Sequence, residues 1–116
     1  AVPGLRWMEE PEGHHSTRWL SAFVLEGDDA QARRDALLDF LERHNVEARP
    51  VWKPMHLQPL YSGSRYFQHD AGQDVSRALF EGGVCLPSGS NMNAAQRSRV
   101  CELVARGLGV AVRSAA

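Results

Sequence analysis

The chain has 116 residues, 43% of them hydrophobic and 23% charged, with a formal net charge of −1. That length holds one domain with a single core, and the charge balance argues against a phosphate-backbone binder, which carries a basic surplus. No apolar run nears the roughly 20 residues that span a bilayer, no basic stretch leads into an apolar one as in a secretory signal, and two cysteines make no disulfide framework, so a reducing, cytoplasmic setting is expected.

The opening "AVPGLRWMEEPEGHHS" mixes Pro, Gly and charges and predicts no element; such a start suits a piece of a longer chain. Residues 17–26, "TRWLSAFVLE", predict a strand with Trp19, Phe23 and Leu25 on one face and Leu20, Ala22 and Val24 on the other. Apolar residues on both faces point to cover on two sides. After Gly27, Asp28 and Asp29 open a predicted helix to about His44, with Ala30, Leu37, Leu38 and Leu41 on one face and Asn45 as its stop. Residues 46–52 predict a second strand, which Pro50 confines to an edge or ends early.

Residues 62–72 read as a polar loop, 73–82 as a short helix stopped by Gly82 and Gly83, and 84–87 as a short buried strand. In "SGSNMN" the pair Asn93 and Gln96 fits a capping box. The helix it starts runs to Gly107, with Val100, Leu103 and Val104 inward. The tail 108–116 is either a short strand or frayed. The expected fold is α/β: a sheet of about three strands with helices packed on it, in the order β-α-β-loop-α-β-α.

One segment fits no periodicity. "RPVWKPMHLQPLY", residues 49–61, holds three of the six prolines and the chain's only lysine. Each proline fixes φ and removes a donor, and pushes the residue before it toward extended backbone, here Arg49, Lys53 and Gln58. The result is a stiff irregular path presenting Arg49, Trp52, Lys53, His56, Gln58 and Tyr61. Cations, ring faces and hydrogen-bonding groups together suit an anionic, polar, ring-containing ligand, and a guanidinium can fork onto phosphate oxygens. The competing reading is structural: Trp52, Met55, Leu57, Leu60 and Tyr61 as the core of a long connector, Arg49 as a surface ion-pair partner, and Gln58 as a loop staple.

The same choice holds elsewhere. His56 either orients a ligand oxygen or is a bonded structural histidine. Lys53 either attracts phosphate or is solvated. Ser88, Gly89 and Ser90 precede a helix whose backbone N–H groups can hold an anion, or Ser90, Asn91 and Asn93 simply cap it.

The segment 49–61, followed by "GGVCLPSGSNMN" and a helix, resembles the C-terminal small domain of the DegT/DnrJ/EryC1/StrS aminotransferases. The strand in "STRWLSAFVL" and the helix in "ARRDALLDFLERHNVEARP" sit where that family places them, so the resemblance covers about Gly4 to Gly107. It implies a type I aminotransferase fold, in which a large domain carries pyridoxal phosphate and its Schiff-base lysine and the active sites lie at a dimer interface. It also implies amino transfer from an amino acid, commonly glutamate, to a keto-sugar, usually nucleotide-linked, in amino-sugar or cell-surface polysaccharide synthesis. Lys53 lies in the small-domain motif and not at the family's aldimine position. The whole of 1–116 is then expected to be one domain of a longer chain, inactive and without cofactor by itself. The resemblance implies that Arg49, Trp52, Lys53 and His56 approach the nucleotide-sugar, with Ser88 and Ser90 near the substrate mouth. The alternative is a stand-alone α/β module that binds or senses a small ligand.

Other chemistries find no support. The five histidines and two cysteines show no ligand spacing for a metal, and Cys85 and Cys101 read as buried small hydrophobes. No nucleophile elbow, phosphate loop or dinucleotide fingerprint is present, and aromatics do not interleave with a basic patch as in a nucleic-acid binder.

Overall fold

A computed structural model describes residues 2–17 and 19–110. The elements in chain order are β1 (Leu5–Trp7), β2 (Ser21–Leu25), α1 (Ala30–Arg43), β3 (Arg49–Pro50), α2 (Val75–Gly82), β4 (Gly83–Leu86) and α3 (Ala94–Gly107). Two 3₁₀ turns, Met55–Leu57 and Pro59–Tyr61, lie between β3 and α2.

The strands form one antiparallel sheet in the order β1-β2-β4-β3. The predicted order of elements holds from β2 onward, but the strand count does not: β1 adds a fourth strand where none is expected. "LRW" has too little pattern to predict a strand, and it extends because Leu5, Arg6 and Trp7 pair with Leu25, Val24 and Phe23. The second predicted strand shrinks to Arg49–Pro50 at a sheet edge. Pro50 has no N–H to continue the ladder, the reason an edge is expected.

Register places Phe23 opposite Val84 and Ser21 opposite Leu86, so Phe23, Leu25, Val84 and Leu86 share one face. They form the core with Leu37 and Leu41 of α1 and Val100, Leu103 and Val104 of α3. Phe23, Leu37, Leu41 and Val84 are fully buried, each stabilising the fold by roughly 1.5–3 kcal/mol relative to exposure.

Local signals fix the helix ends. Asn93 and Gln96 form the predicted capping box, with both bonds at 2.9 Å. Asn45 stops α1 in a left-handed conformation (φ 53°). Its N–H reaches the Glu42 carbonyl, and that of Val46 reaches Leu41, the paired closure of a Schellman motif. Gly109 closes α3 in the same way, so 108–110 form a turn, and the remainder of the tail, 111–116, lies outside the described residues.

α2 lies against α1 and against β2, β3 and β4. Gly82 and Gly83 serve close approach. A Cβ on Gly82 would stand 2.2 Å from the Leu25 carbonyl oxygen, and one on Gly83 2.2 Å from that of Leu79. Arg34, on the inner side of α1, is 5% exposed. It donates to the Phe80 carbonyl at 2.5 Å and to Asp35, and lies 5.1 Å over the Phe80 ring, tying α1 to α2.

Two expectations fail here. Trp19 precedes β2 and is 73% exposed instead of sharing the core face with Phe23. Cys101 is exposed and Cys85 only half-buried, so neither is a fully buried small hydrophobe. Burial pushes the Cys85 thiol up, away from the thiolate form.

Candidate functional site

The proline segment leaves the sheet edge at Pro50 and passes Trp52, Lys53 and Pro54 in irregular backbone before its two 3₁₀ turns. Leu57 and Gln58 donate to the Pro54 and Met55 carbonyls, and Tyr61 to that of Gln58. Gln58 is extended before Pro59 (φ −77°, ψ 140°), as proline demands. Its side chain donates to the Lys53 carbonyl at 3.3 Å, the staple expected of it.

Beside this path lies a concavity of about 660 Å³, lined among others by Trp19, Arg49, Trp52, Lys53, Phe80 and Cys85. Trp52 is 64% exposed and stacks on Trp19 with ring centroids 5.9 Å apart and planes inclined by 30°. Arg49 puts both Nε and a terminal nitrogen on one Glu47 oxygen, the Nε at 2.8 Å. Both side chains are largely exposed, so the pair holds Arg49 by no more than about 1 kcal/mol. Lys53 is exposed on the same wall. Three residues singled out from sequence, Arg49, Trp52 and Lys53, therefore meet at one groove.

His56 does not line this groove. Its Nε2 is 2.8 Å from Asp74 Oδ2, and its ring stacks on Tyr66 at 3.7 Å with planes 5° apart. Asp74 caps α2 by accepting from the Arg77 N–H at 2.9 Å. It also accepts from the Tyr66 hydroxyl at 3.0 Å, the Ser76 hydroxyl at 3.1 Å and Arg77 Nε at 3.3 Å. Burial alone raises the Asp74 carboxyl, but the bonds from Arg77 N–H, His56, Tyr66 and Ser76 outweigh it and hold it well below the usual carboxylate range.

Ser88 braces the sheet end. Its Oγ accepts the Ser21 N–H at 2.7 Å and donates to the Leu86 carbonyl at 2.9 Å. Ser90 is exposed in the turn before α3, whose cap is filled by Asn93. Neither serine lines the groove, although Pro87 does.

Trp19, Phe80, Tyr66 and Asp74 escape sequence reasoning. The signal available for Asp74 was local: an Asp one residue before the helical run from Val75 is a good cap. The other three acquire their places only through tertiary contact.

The described residues do not make a pyridoxal phosphate site. Such a site needs an amine, an acid for the pyridine nitrogen and donors for the phosphate. The single lysine, Lys53, and the acid lining the groove, Glu47, both stand exposed on its wall, so neither is held in place against a cofactor. No group of three or more His, Cys, Asp or Glu among the described residues is placed to hold a metal, and no helix among them is long and apolar enough to cross a membrane.

The chain is similar to known proteins over most of its length. Residues 1–105 match the family model of the DegT/DnrJ/EryC1/StrS aminotransferase family. The chain is 40% identical over 103 residues to EpsN of Bacillus subtilis (strain 168), a pyridoxal phosphate-dependent aminotransferase by assignment, covering 89% of this chain and 26% of EpsN. It is 26% identical over 96 residues to GDP-perosamine synthase of Vibrio cholerae, covering 83% of this chain and 25% of the synthase. The crystal structure of the aminotransferase TlmJ from Streptoalloteichus hindustanus superimposes with a TM-score of 0.74 and 24% identity, over 93% of this chain and 27% of TlmJ, a likeness of fold. The chain thus spans about a quarter of the length of these relatives.

Proposed function

Because the chain belongs to the DegT/DnrJ/EryC1/StrS aminotransferase family, we propose that it is the small C-terminal domain of a longer enzyme that aminates a keto-sugar. The amino donor in this reading is an amino acid, glutamate by family resemblance, and the sugar is nucleotide-linked. Two of its relatives carry names that fit, an aminotransferase dependent on pyridoxal phosphate and a GDP-perosamine synthase. When bound in the longer protein, pyridoxal phosphate carries the amino group and serves as the electron sink. In this reading the lysine that holds it lies on the rest of that protein, and two copies of the longer protein pair as a homodimer.

This chain's share is binding and orientation. The convergence of Arg49, Trp52 and Lys53 on one groove carries the reading. Trp52, backed by Trp19, offers a ring face for a base or sugar ring. Lys53 adds a point charge for phosphate, and Arg49 exchanges Glu47 for a phosphate oxygen pair, the geometry a guanidinium fork prefers.

Borohydride reduction tests the division of labour. The chain mixed with pyridoxal phosphate and reduced is expected to show no stoichiometric pyridoxyl adduct by mass spectrometry. A stoichiometric adduct on Lys53 contradicts the placement of the aldimine lysine elsewhere.

A further inference from the structure

The groove lining includes two parts far apart in sequence whose spacing no strand pairing sets: the start of the proline path at 51–53, and Phe80 on α2. Arg34 fixes the Phe80 end against α1. The path is attached to the sheet at β3 and by the Val51 N–H, which donates to the Gly83 carbonyl at 3.1 Å, and from Trp52 on it turns away in irregular backbone. Something has to hold its far end against α2 if Trp52 and Phe80 are to keep a constant spacing.

We infer that Asp74 is a positioning residue that sets this spacing by clamping His56 of the proline path to the first turn of α2. Asp74 Oδ2 meets His56 Nε2 at 2.8 Å while Oδ1 meets the Arg77 N–H at 2.9 Å, so one carboxylate spans the path and the helix. His56 is three residues past Lys53, and the staple from Gln58 to the Lys53 carbonyl makes that interval stiff. Tyr66 completes the clamp from the loop: its ring lies flat on His56 while its hydroxyl donates to Asp74 Oδ1. Asp74 and His56 side chains are 13% and 14% exposed, so these bonds are partly shielded from water and worth more than their surface equivalents. An N-cap alone requires one acceptor for a backbone N–H. Asp74 gathers four side chains besides, those of His56, Tyr66, Ser76 and Arg77, and that excess is what the clamp accounts for. The purpose given to it rests on the groove being the ligand-facing wall; the clamp itself does not.

Asp74→Ser separates the two roles. Serine caps a helix about as well as aspartate but is too short to reach His56 and Tyr66. The readout is the set of three indole N–H resonances of the ¹⁵N-labelled chain, with no ligand present. Trp52 is expected to shift, with Trp19 following through their stack, while Trp7, packed on Phe23 across β1 and β2, stays in place. His56→Ala, which breaks the same bond from the other side, is expected to move Trp52 in the same direction. The double variant is expected to move it no further than the larger single one, because both act on one interaction. The inference is overturned if Trp52 is unmoved in both variants, or if the two shifts add. Where the serine variant does not fold, His56→Ala alone decides by the same Trp52 and Trp7 resonances. A later failure of the groove to bind a nucleotide leaves these ligand-free shifts unchanged, so the two outcomes are distinguishable.

Discussion

Trp19 and Trp52 stack at 5.9 Å between centroids, one just before β2 and the other just after the edge strand β3. The pair is 73% and 64% exposed, so little apolar area leaves water when it forms. Trp19→Ala is expected to lower stability by about 1 kcal/mol, the size of an aromatic pair, and to change the emission of Trp52. Urea denaturation followed by fluorescence measures both.

Arg34 is held by two unequal partners. The Phe80 carbonyl is met inside the protein, whereas Asp35 keeps 55% of its side chain exposed. The bond to the carbonyl therefore matters more than the ion pair. Arg34→Met is expected to destabilise by about 2 kcal/mol, since it leaves a shielded carbonyl unpaired. Asp35→Asn is expected to fall within about 1 kcal/mol of the parent chain. Denaturant midpoints of the two variants, side by side, check the ordering.

Asn45 ends α1 at φ 53°. Glycine enters that region freely and alanine does not. Asn45→Gly is expected to be neutral or slightly stabilising, and Asn45→Ala to lose about 1 kcal/mol. Thermal unfolding by circular dichroism reads the difference.

Asp74 makes stability depend on acid. Its folded-state carboxyl sits below the ordinary range because Arg77, His56, Tyr66 and Ser76 together outweigh the effect of burial. The unfolded chain then binds a proton more readily than the folded one, so folding is favoured as pH rises. This contribution is complete well above the ordinary aspartate value and is lost as pH falls below about 4. Asp74→Asn keeps a capping acceptor but cannot ionise. It is expected to be less stable than the parent at neutral pH, with the gap closing in strong acid. Urea midpoints across a pH series check this, and a constant gap contradicts it.

What the sequence discloses is what neighbours in the chain decide. The capping box at Asn93 and Gln96, the stop at Asn45 and the early end of β3 at Pro50 each follow from a few adjacent residues, and each is observed. β1 could not be foreseen, because three residues become a strand only when β2 supplies the partner. Gly82 and Gly83 read as helix stops, but their lack of a Cβ is required by the Leu25 and Leu79 carbonyls. In the site, proline chemistry predicts a stiff path presenting Arg49, Trp52 and Lys53, and all three line the groove. His56 is equally visible in sequence, yet its orientation is set by Tyr66, within the polar loop, and by Asp74 beyond it. Trp19 looks like a core strand residue because alternation cannot tell where pairing begins.

We propose that the groove of Arg49, Trp52 and Lys53 receives a nucleotide-linked anion. Titration of the ¹⁵N-labelled chain with uridine, guanosine and thymidine diphosphates, followed through the indole resonances, checks it. Saturable shifts of Trp52 and Trp19 are expected with at least one of them, with no shift of Trp7 and loss of the effect in a Lys53→Ala, Arg49→Ala double variant. Unmoved Trp52 and Trp19 resonances with all three diphosphates at millimolar concentrations, or shifts that survive removal of both cations, contradict it.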